Sequence, residues 1–147
     1  MRFKNKGYLL ILLFFAIIGM YSIAYFDNKI ERKIFMWSGA IFATIMYIPA
    51  AFEYYEVTEE GLTYRNVFGY RNNTLLWKDI RKIEISTYQV AKIMNFKWVE
   101  IKGGINHGTI NINRGVKDYK KLIKIILEKT KDNPRVIVDS TIYDFIK

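Results

Sequence analysis

Two apolar runs decide the fold of this chain: residues 7–26, GYLLILLFFAIIGMYSIAYF, and residues 34–52, IFMWSGAIFATIMYIPAAF. They are 20 and 19 residues long, and neither contains a charged side chain. A helix of about 20 residues spans about 30 Å, which is the thickness of the hydrocarbon core of a bilayer. The polar-rich residues 27–33 between them are enough for a turn. The sequence therefore predicts that residues 1–52 form a transmembrane helical hairpin with spans 7–26 and 34–52.

Two other interpretations of these runs are a pair of buried core helices in a soluble protein and a cleavable signal peptide. Two consecutive charge-free runs of this length argue against core helices. The basic N-terminus and the small residues near position 23 resemble a signal peptide, but the first run is longer than a usual signal and a second span follows at once. Both features favour a hairpin that stays in the membrane.

The basic residues near the span ends predict the orientation of the hairpin. Those on the N-terminal side are Arg2, Lys4, Lys6, Arg65 and Arg71, and those in the short loop are Lys29, Arg32 and Lys33. This narrow excess places both termini and the following domain in the cytoplasm. The Ile-, Lys-, Asn- and Tyr-rich composition is typical of an AT-rich bacterial gene, so we expect a multi-pass protein of the bacterial cell membrane.

Gly39 and Ala43 form a small-xxx-small pair in the second span. Small residues at this spacing let two helix backbones approach closely. The pair predicts a helix contact, either within the hairpin or between two copies of the chain.

Residues 53–147 have the pattern of a β-rich domain that ends in a helix. Short segments of β-forming residues alternate with turn signals. The predicted strands are residues 53–58, 62–67, 70–76, 82–87, 96–102 and 109–113. In residues 117–130 the apolar positions instead recur at helical spacing, which predicts one amphipathic helix. The fold class is thus α+β: a membrane hairpin followed by an antiparallel β-barrel or sandwich that a C-terminal helix caps.

Three short motifs resemble the bacterial pleckstrin-homology-like domain. They are Tyr-Glu-Val-Thr-Glu-Glu-Gly-Leu at 55–62, Phe-Gly-Tyr-Arg at 68–71 and Leu-Trp-Lys-Asp-Ile at 76–80. Their order, the preceding hairpin and the closing amphipathic helix are similar to members of that family, although Leu76 replaces the more usual Pro. The resemblance implies a barrel of about seven strands and gives no activity. We interpret Trp77 and Ile80 as core residues and Asp79 as a local cap.

Chemistry-bearing motifs are few. The chain has no cysteine and a single histidine, His107, so neither a thiolate nor a zinc site based on sulfur is available. Neither a P-loop nor a dinucleotide-binding motif is present. We therefore predict no catalytic residues, no metal and no cofactor. The 95-residue domain carries 17 Lys or Arg against 12 Asp or Glu, a modest net +5 that does not favour nucleic acid.

The predicted C-terminal helix carries a stripe of lysines, centred on Lys120, Lys121 and Lys124. It is either a solvated helix face or a contact with an anionic membrane surface. Eukaryotic pleckstrin-homology domains bind phosphoinositides with basic residues in the first hairpin. Here that turn contains Glu59 and Glu60, which argues against specific phosphoinositide binding.

In the stretch from Tyr88 to Phe96, four large apolar residues surround one charged residue, Lys92. Its candidate contact residues are Val90, Lys92, Ile93, Met94 and Phe96. Two interpretations remain open: the stretch belongs to the core, or it is an exposed loop that docks a partner or enters the membrane interface.

These features give three hypotheses for function. The first is a non-enzymatic, membrane-anchored binding or scaffold protein that associates with itself, another membrane protein, a peptide or the lipid surface. The second is an immunity protein against a membrane-active bacteriocin, because small, basic, two-span proteins with a pleckstrin-homology-like domain resemble some immunity factors. The third is an accessory subunit of a transporter or of a lipid-directed enzyme, which requires a polar cleft with perturbed ionisable groups beside the membrane.

Overall fold

The computed structural model describes residues 1–66, 72–90, 94–104 and 107–147. In these residues the chain is an α+β protein with two long apolar N-terminal helices and two β-sheets. The helices are α1 Gly7–Phe26, α2 Ile30–Phe52, α3 Tyr119–Thr130 and α4 Thr141–Phe145. The strands are β1 Arg2–Lys4, β2 Tyr54–Val57, β3 Gly61–Arg65, β4 Asn73–Leu76, β5 Ile80–Val90, β6 Met94–Gly103, β7 Thr109–Asn113 and β8 Ile137–Val138.

The helices α1 and α2 pack against each other as a hairpin. Ala24 and Ala40 are fully buried where the helices meet, and the hydroxyl groups of Tyr21 and Thr44 lie 3.2 Å apart. Apart from these two alanines and Ile17, no residue of the two fully described helices is buried, and most large apolar side chains remain exposed. Both helices are long and apolar enough to cross a membrane.

The first sheet has the strand order β1-β2-β3-β4, and every neighbouring pair is antiparallel. Its unexpected member is β1, which pairs Phe3 with Tyr55. Phe3 lies between two basic residues and is buried. This period-two pattern is what a short strand with one buried face requires. The basic residues Arg2–Lys4 are therefore a strand of the sheet, and the chain continues from them into α1 at Gly7.

The second sheet has the order β7-β6-β5-β8, with β8 parallel to β5 and the other pairs antiparallel. Its central hairpin is long, because β5 and β6 pair from Ile80↔Gly103 to Val90↔Met94. The outer strands are shorter and cover only part of this hairpin.

One hydrophobic core joins both sheets to α3 and α4. Leu62 and Leu75 come from the first sheet, Ile83 and Ile101 from the second, and Ile126 from α3, and all five are almost completely buried. The apolar stripe of α3 faces this core because its residues recur at helical spacing. The predicted amphipathic helix is present, but it begins at Tyr119 because Asp118 adopts a left-handed backbone conformation with φ 55°.

The element bounds differ from the sequence prediction mainly at the start of α2 and in the β5–β6 hairpin. Helix α2 begins at Ile30, four residues before the predicted span, because the polar residues 31–33 continue the helix with exposed or half-buried side chains. Strand β5 runs to Val90 and β6 begins at Met94, so the predicted strands 82–87 and 96–102 are both too short.

Candidate functional site at the anchor end of the domain

The anchor end of the domain is where α1 begins and α2 ends. Main-chain hydrogen bonds run from Lys6 N to Gly115 O (2.8 Å) and from Lys117 N to Lys4 O (2.7 Å). The Asn5 amide donates both to Ala50 O and to Glu53 Oε1, each at 2.7 Å. The residues before α1, the last turn of α2 and the segment before α3 are thus held together at one end of the domain.

The hairpin of β5 and β6 extends beyond the rest of its sheet at this same end. Strand β7 pairs with β6 only as far as Asn113↔Trp98, and β8 pairs only with Lys82 and Ile83. We call the remaining two-stranded part, residues 87–90 and 94–97, the arm. Four residues beyond Trp98 correspond to about 13 Å of strand. The arm lies at the anchor end because β7 runs toward it and Gly115, just after β7, is bonded to Lys6.

Tyr88 and Phe96 face each other across the arm as a cross-strand pair. Tyr88 is 61% exposed and Phe96 is 50% exposed, so neither belongs to the core. Aromatic cross-strand pairs stabilise a two-stranded ribbon. Of the other predicted contact residues, Val90 and Met94 pair through their main chains at the last described step of the arm. Lys92 and Ile93 lie outside the described residues.

Trp98 lies at the base of the arm, on the same face of β6 as Phe96 because the two are separated by two residues. Its indole N–H is buried and has no hydrogen-bond partner in the described part of the chain. An unsatisfied buried donor costs about 1–3 kcal/mol. A cavity of about 630 Å³ opens beside it and is lined by Asn95, Phe96, Lys97, Trp98, Asn113, Arg114 and Gly115.

The edge of β7 is not free to accept another strand. The carbonyl oxygens of Thr109, Asn111 and Asn113 accept hydrogen bonds from Asn73 Nδ2, Tyr55 OH and Val116 N respectively. Strand addition needs such groups to be unpaired. Partner docking by strand addition is therefore disfavoured at this edge, whereas the arm keeps open main-chain edges beyond β7 and β8.

The predicted lysines Lys120, Lys121 and Lys124 lie exposed on the first two turns of α3. The structure adds a fourth cation, Lys6, whose Nζ lies 5.8 Å from the centre of the Tyr119 ring. We call these four lysines the basic patch. They line a shallow cavity of about 540 Å³ together with Asp118 and Tyr119. The basic patch lies at the anchor end, since Lys6 immediately precedes α1.

A polar cleft of about 460 Å³ also opens at this end. Glu53 lines it, with Oε1 accepting from Asn5 Nδ2 at 2.7 Å and Oε2 from Tyr64 OH at 2.6 Å. Burial raises the pKa of the Tyr55 phenol, and Glu53 and Tyr64 add to the effect. Tyr55 therefore remains a protonated donor, and it bonds to Asn111 O at 2.6 Å. The hydrogen bonds of Glu53 tie Asn5, Glu53 and Tyr64 to one another along the cleft.

The three motif residues pack at the opposite side of the first sheet from the anchor end. Ile80 is fully buried, and Trp77 packs against the core while its indole N–H donates to Thr58 O at 3.3 Å. Asp79 lies in the 3-10 turn Trp77–Asp79, with Oδ2 3.8 Å from His107 Nδ1. Part of the second motif, residues 68–71, lies outside the described residues.

The predicted helix-packing residues lie inside the hairpin. A Cβ atom added to Gly39 would be 2.5 Å from Met20 Cε, so Gly39 faces α1. Ala43 is half-buried, whereas its neighbour Ala40 is fully buried. The close contact of Gly39 with α1 favours the interpretation in which these small residues pack the hairpin against itself.

No family model matches this chain, and no curated protein matches it either. In the described part of the chain, no three His, Cys, Asp or Glu residues are grouped as metal ligands would be. The interpretation of the site therefore depends on the geometry of the anchor end.

Sequence reasoning found the three α3 lysines and the apolar stretch of the arm but missed Lys6, Trp98 and strand β1. Trp98 carried a signal, because residues 96 and 98 are aromatic at strand spacing. The alternation of Arg2, Phe3 and Lys4 also fits a strand with one buried face. Basic residues before an apolar run are, however, more simply explained as determinants of membrane orientation. The proximity of Lys6 to α3 had no local signal.

Proposed function

We propose that this chain is a non-enzymatic, membrane-anchored binding or scaffold protein, in which a pleckstrin-homology-like domain presents the arm to a second protein at the same membrane surface. The partner is either a second copy of this chain or another membrane protein. The observation that carries the proposal is the exposed aromatic arm, which extends from the domain at the end where both long helices join it.

The exposure of the two apolar helices supports membrane anchoring. Only 11% and 6% of the residues in their most apolar windows are buried. Core helices of a soluble protein would be mostly covered, and an apolar surface of this size would not stay in water. The basic residues at the anchor end favour a cytoplasmic position for the domain in a bacterial cell membrane.

The arrangement of the domain is compatible with the pleckstrin-homology-like resemblance. Two four-stranded sheets share a core with a C-terminal helix, and the buried Ile80 with the packed Trp77 fits the role that the resemblance gives them. The fold by itself supplies no activity. Binding is favoured over catalysis because the ionisable groups of the polar cleft are already engaged with each other.

The chemistry of the arm fits a protein partner. Tyr88 and Phe96 give a large apolar contact area at low conformational cost, which is why aromatic residues are enriched at interfaces. The open edges of the arm supply further main-chain groups for pairing.

The test is photo-crosslinking of the full chain in intact cells. A photoreactive amino acid replaces Phe96 in one variant and Tyr88 in another. The matched control carries it at Tyr143, which is 55% exposed on α4. We expect a discrete protein adduct from the two arm positions and none from Tyr143, and mass spectrometry of the adduct identifies the partner.

Adducts at all three positions with the same pattern would reflect random collision and count against a specific arm contact. The absence of protein adducts from both arm positions would reject the arm as a partner surface. Release of the chain from membranes by alkaline carbonate would reject the anchoring part of the proposal.

A further inference from the structure

We infer that the basic patch binds the anionic phospholipid headgroups of the leaflet that holds the chain, so that α3 rests on the membrane surface. This inference rests on the membrane anchoring of the proposed function and is independent of the arm's protein partner.

The position of Lys6 places the basic patch at the depth of the lipid headgroups. Lys6 is the last residue before α1, and its main-chain N–H is bonded to Gly115 at the start of the segment that leads to α3. If α1 spans the bilayer from Gly7, Lys6 lies at the level of the headgroups. The remaining three lysines share its cavity and lie on the neighbouring surface of α3.

No Asp or Glu side chain in the described part of the protein forms an ion pair with the basic patch. The carboxylates of the ion pairs in this part of the chain are all more than 4.0 Å from its four lysines. Other basic residues of the domain form ion pairs with carboxylates, as in Lys129–Glu59 at 2.9 Å and Lys102–Glu84 at 2.6 Å. Asp118 lines the same cavity, and Lys120 Nζ donates to the main-chain oxygen of Lys147, the last residue of the printed sequence, at 2.6 Å. The lysines without such a contact are Lys6, Lys121 and Lys124.

The two ends of α3 differ in how their lysine charges are balanced, and this difference favours the anionic bilayer surface as the ligand of the basic patch. The C-terminal end of the helix satisfies its lysine with Glu59 from the first sheet, whereas the N-terminal end holds three lysines at (i, i+3) and (i, i+4) spacing, which repel one another. A negatively charged, extended surface removes that repulsion, and the bilayer leaflet is the surface that lies at this end of the domain. Polybasic groups beside a membrane span bind anionic lipid in this way.

The experiment measures lipid preference of the full chain reconstituted in bilayers. Spin-labelled phosphatidylglycerol and phosphatidylcholine report the relative association of each lipid with the protein. The test variant is Lys120→Gln/Lys121→Gln/Lys124→Gln. The matched control is Lys78→Gln/Lys131→Gln/Arg135→Gln, which removes the same charge from exposed positions near the other end of α3.

We expect wild type and the control to prefer phosphatidylglycerol and the test variant to lose most of that preference. A single lysine near an anionic surface contributes a factor of about five in association. Lys6→Gln alone should therefore lower the preference by about fivefold at low salt, and added salt should weaken the wild-type preference. Free inorganic phosphate at millimolar concentration should leave it unchanged, because the site recognises a charged surface.

Equal association of both lipids with wild type, or an equal loss in the test and control variants, would overturn the inference. Displacement of phosphatidylglycerol by inorganic phosphate would also overturn it, since the patch would then bind a soluble anion. Failure of the wild-type chain to remain in the bilayer after a carbonate wash would instead reject the anchoring on which the inference rests. Lipid preference in an inserted chain that gives no arm adduct would support the inference and reject the arm as partner surface.

Discussion

The two-sheet domain and the N-terminal hairpin place their apolar side chains in opposite environments. In the domain, Leu62 and Ile101 are fully buried beneath both sheets and α3. In the hairpin, Phe15 is 63% exposed, and the helices bury little beyond the small residues between them. The two regions therefore differ in what covers their apolar side chains: the domain covers its own in a core, whereas the hairpin leaves most of its own exposed.

The largest expected effect comes from truncating a buried apolar residue of the domain, compared with truncating an exposed one of the hairpin. We expect Leu62→Ala to lower the free energy of unfolding of the domain by about 2–5 kcal/mol, because it leaves a cavity in a packed core. Phe15→Ala should change it by no more than about 0.5 kcal/mol, since the side chain touches little of the protein. Chemical denaturation of the full chain in detergent, followed by tryptophan fluorescence, measures both. Equal effects would contradict the comparison.

A smaller effect should arise at the junction of the two regions. Asn5 follows β1 directly. Its side-chain amide donates hydrogen bonds to Ala50 O near the end of α2 and to Glu53 Oε1. Asn5→Ala removes both hydrogen bonds. We expect the free energy of unfolding to fall by about 1–3 kcal/mol, because the part-buried acceptors lose their donor. The exposed Asn95 gives a matched control, Asn95→Ala, for which the same denaturation experiment should show little change. A neutral result at Asn5 would mean that its two side-chain hydrogen bonds add nothing to the stability of the junction.

The smallest effect concerns pH, and it belongs to the domain surface. Hydrogen bonds from Lys102 and Lys82 hold the pKa of Glu84 below its ordinary value of about 4.3. Stability from this group is therefore complete above that value and is lost as pH falls through the lower pKa of the folded state. We expect Glu84→Gln to flatten the decline of stability below about pH 4.3. The exposed Glu128 provides the control: an equal flattening in Glu128→Gln would remove the assignment to Glu84.

The local patterns of the sequence were sufficient to predict the two long helices, the amphipathic character of α3 and the approximate positions of the strands. Each of these depends on the spacing of apolar residues within one segment, which is independent of what the segment packs against. The lysines of α3 and the apolar residues near Phe96 were found for the same reason. Their interpretation stayed open, because exposure depends on neighbours that are distant in sequence.

The sequence by itself determined that this chain has an apolar helical hairpin followed by a β-rich domain, because the length and period of an apolar run are local properties. Only the tertiary structure decided that Arg2–Lys4 is a strand and that Lys6 lines the same cavity as the lysines of α3. It also decided that the β5–β6 hairpin extends beyond the neighbouring strands. The strand β1 pairs with residues at least 50 positions away, and Lys6 lies more than 110 positions before α3. The physical reason is that strand register and the packing of distant segments are fixed by burial of the shared core, which no local window of sequence contains.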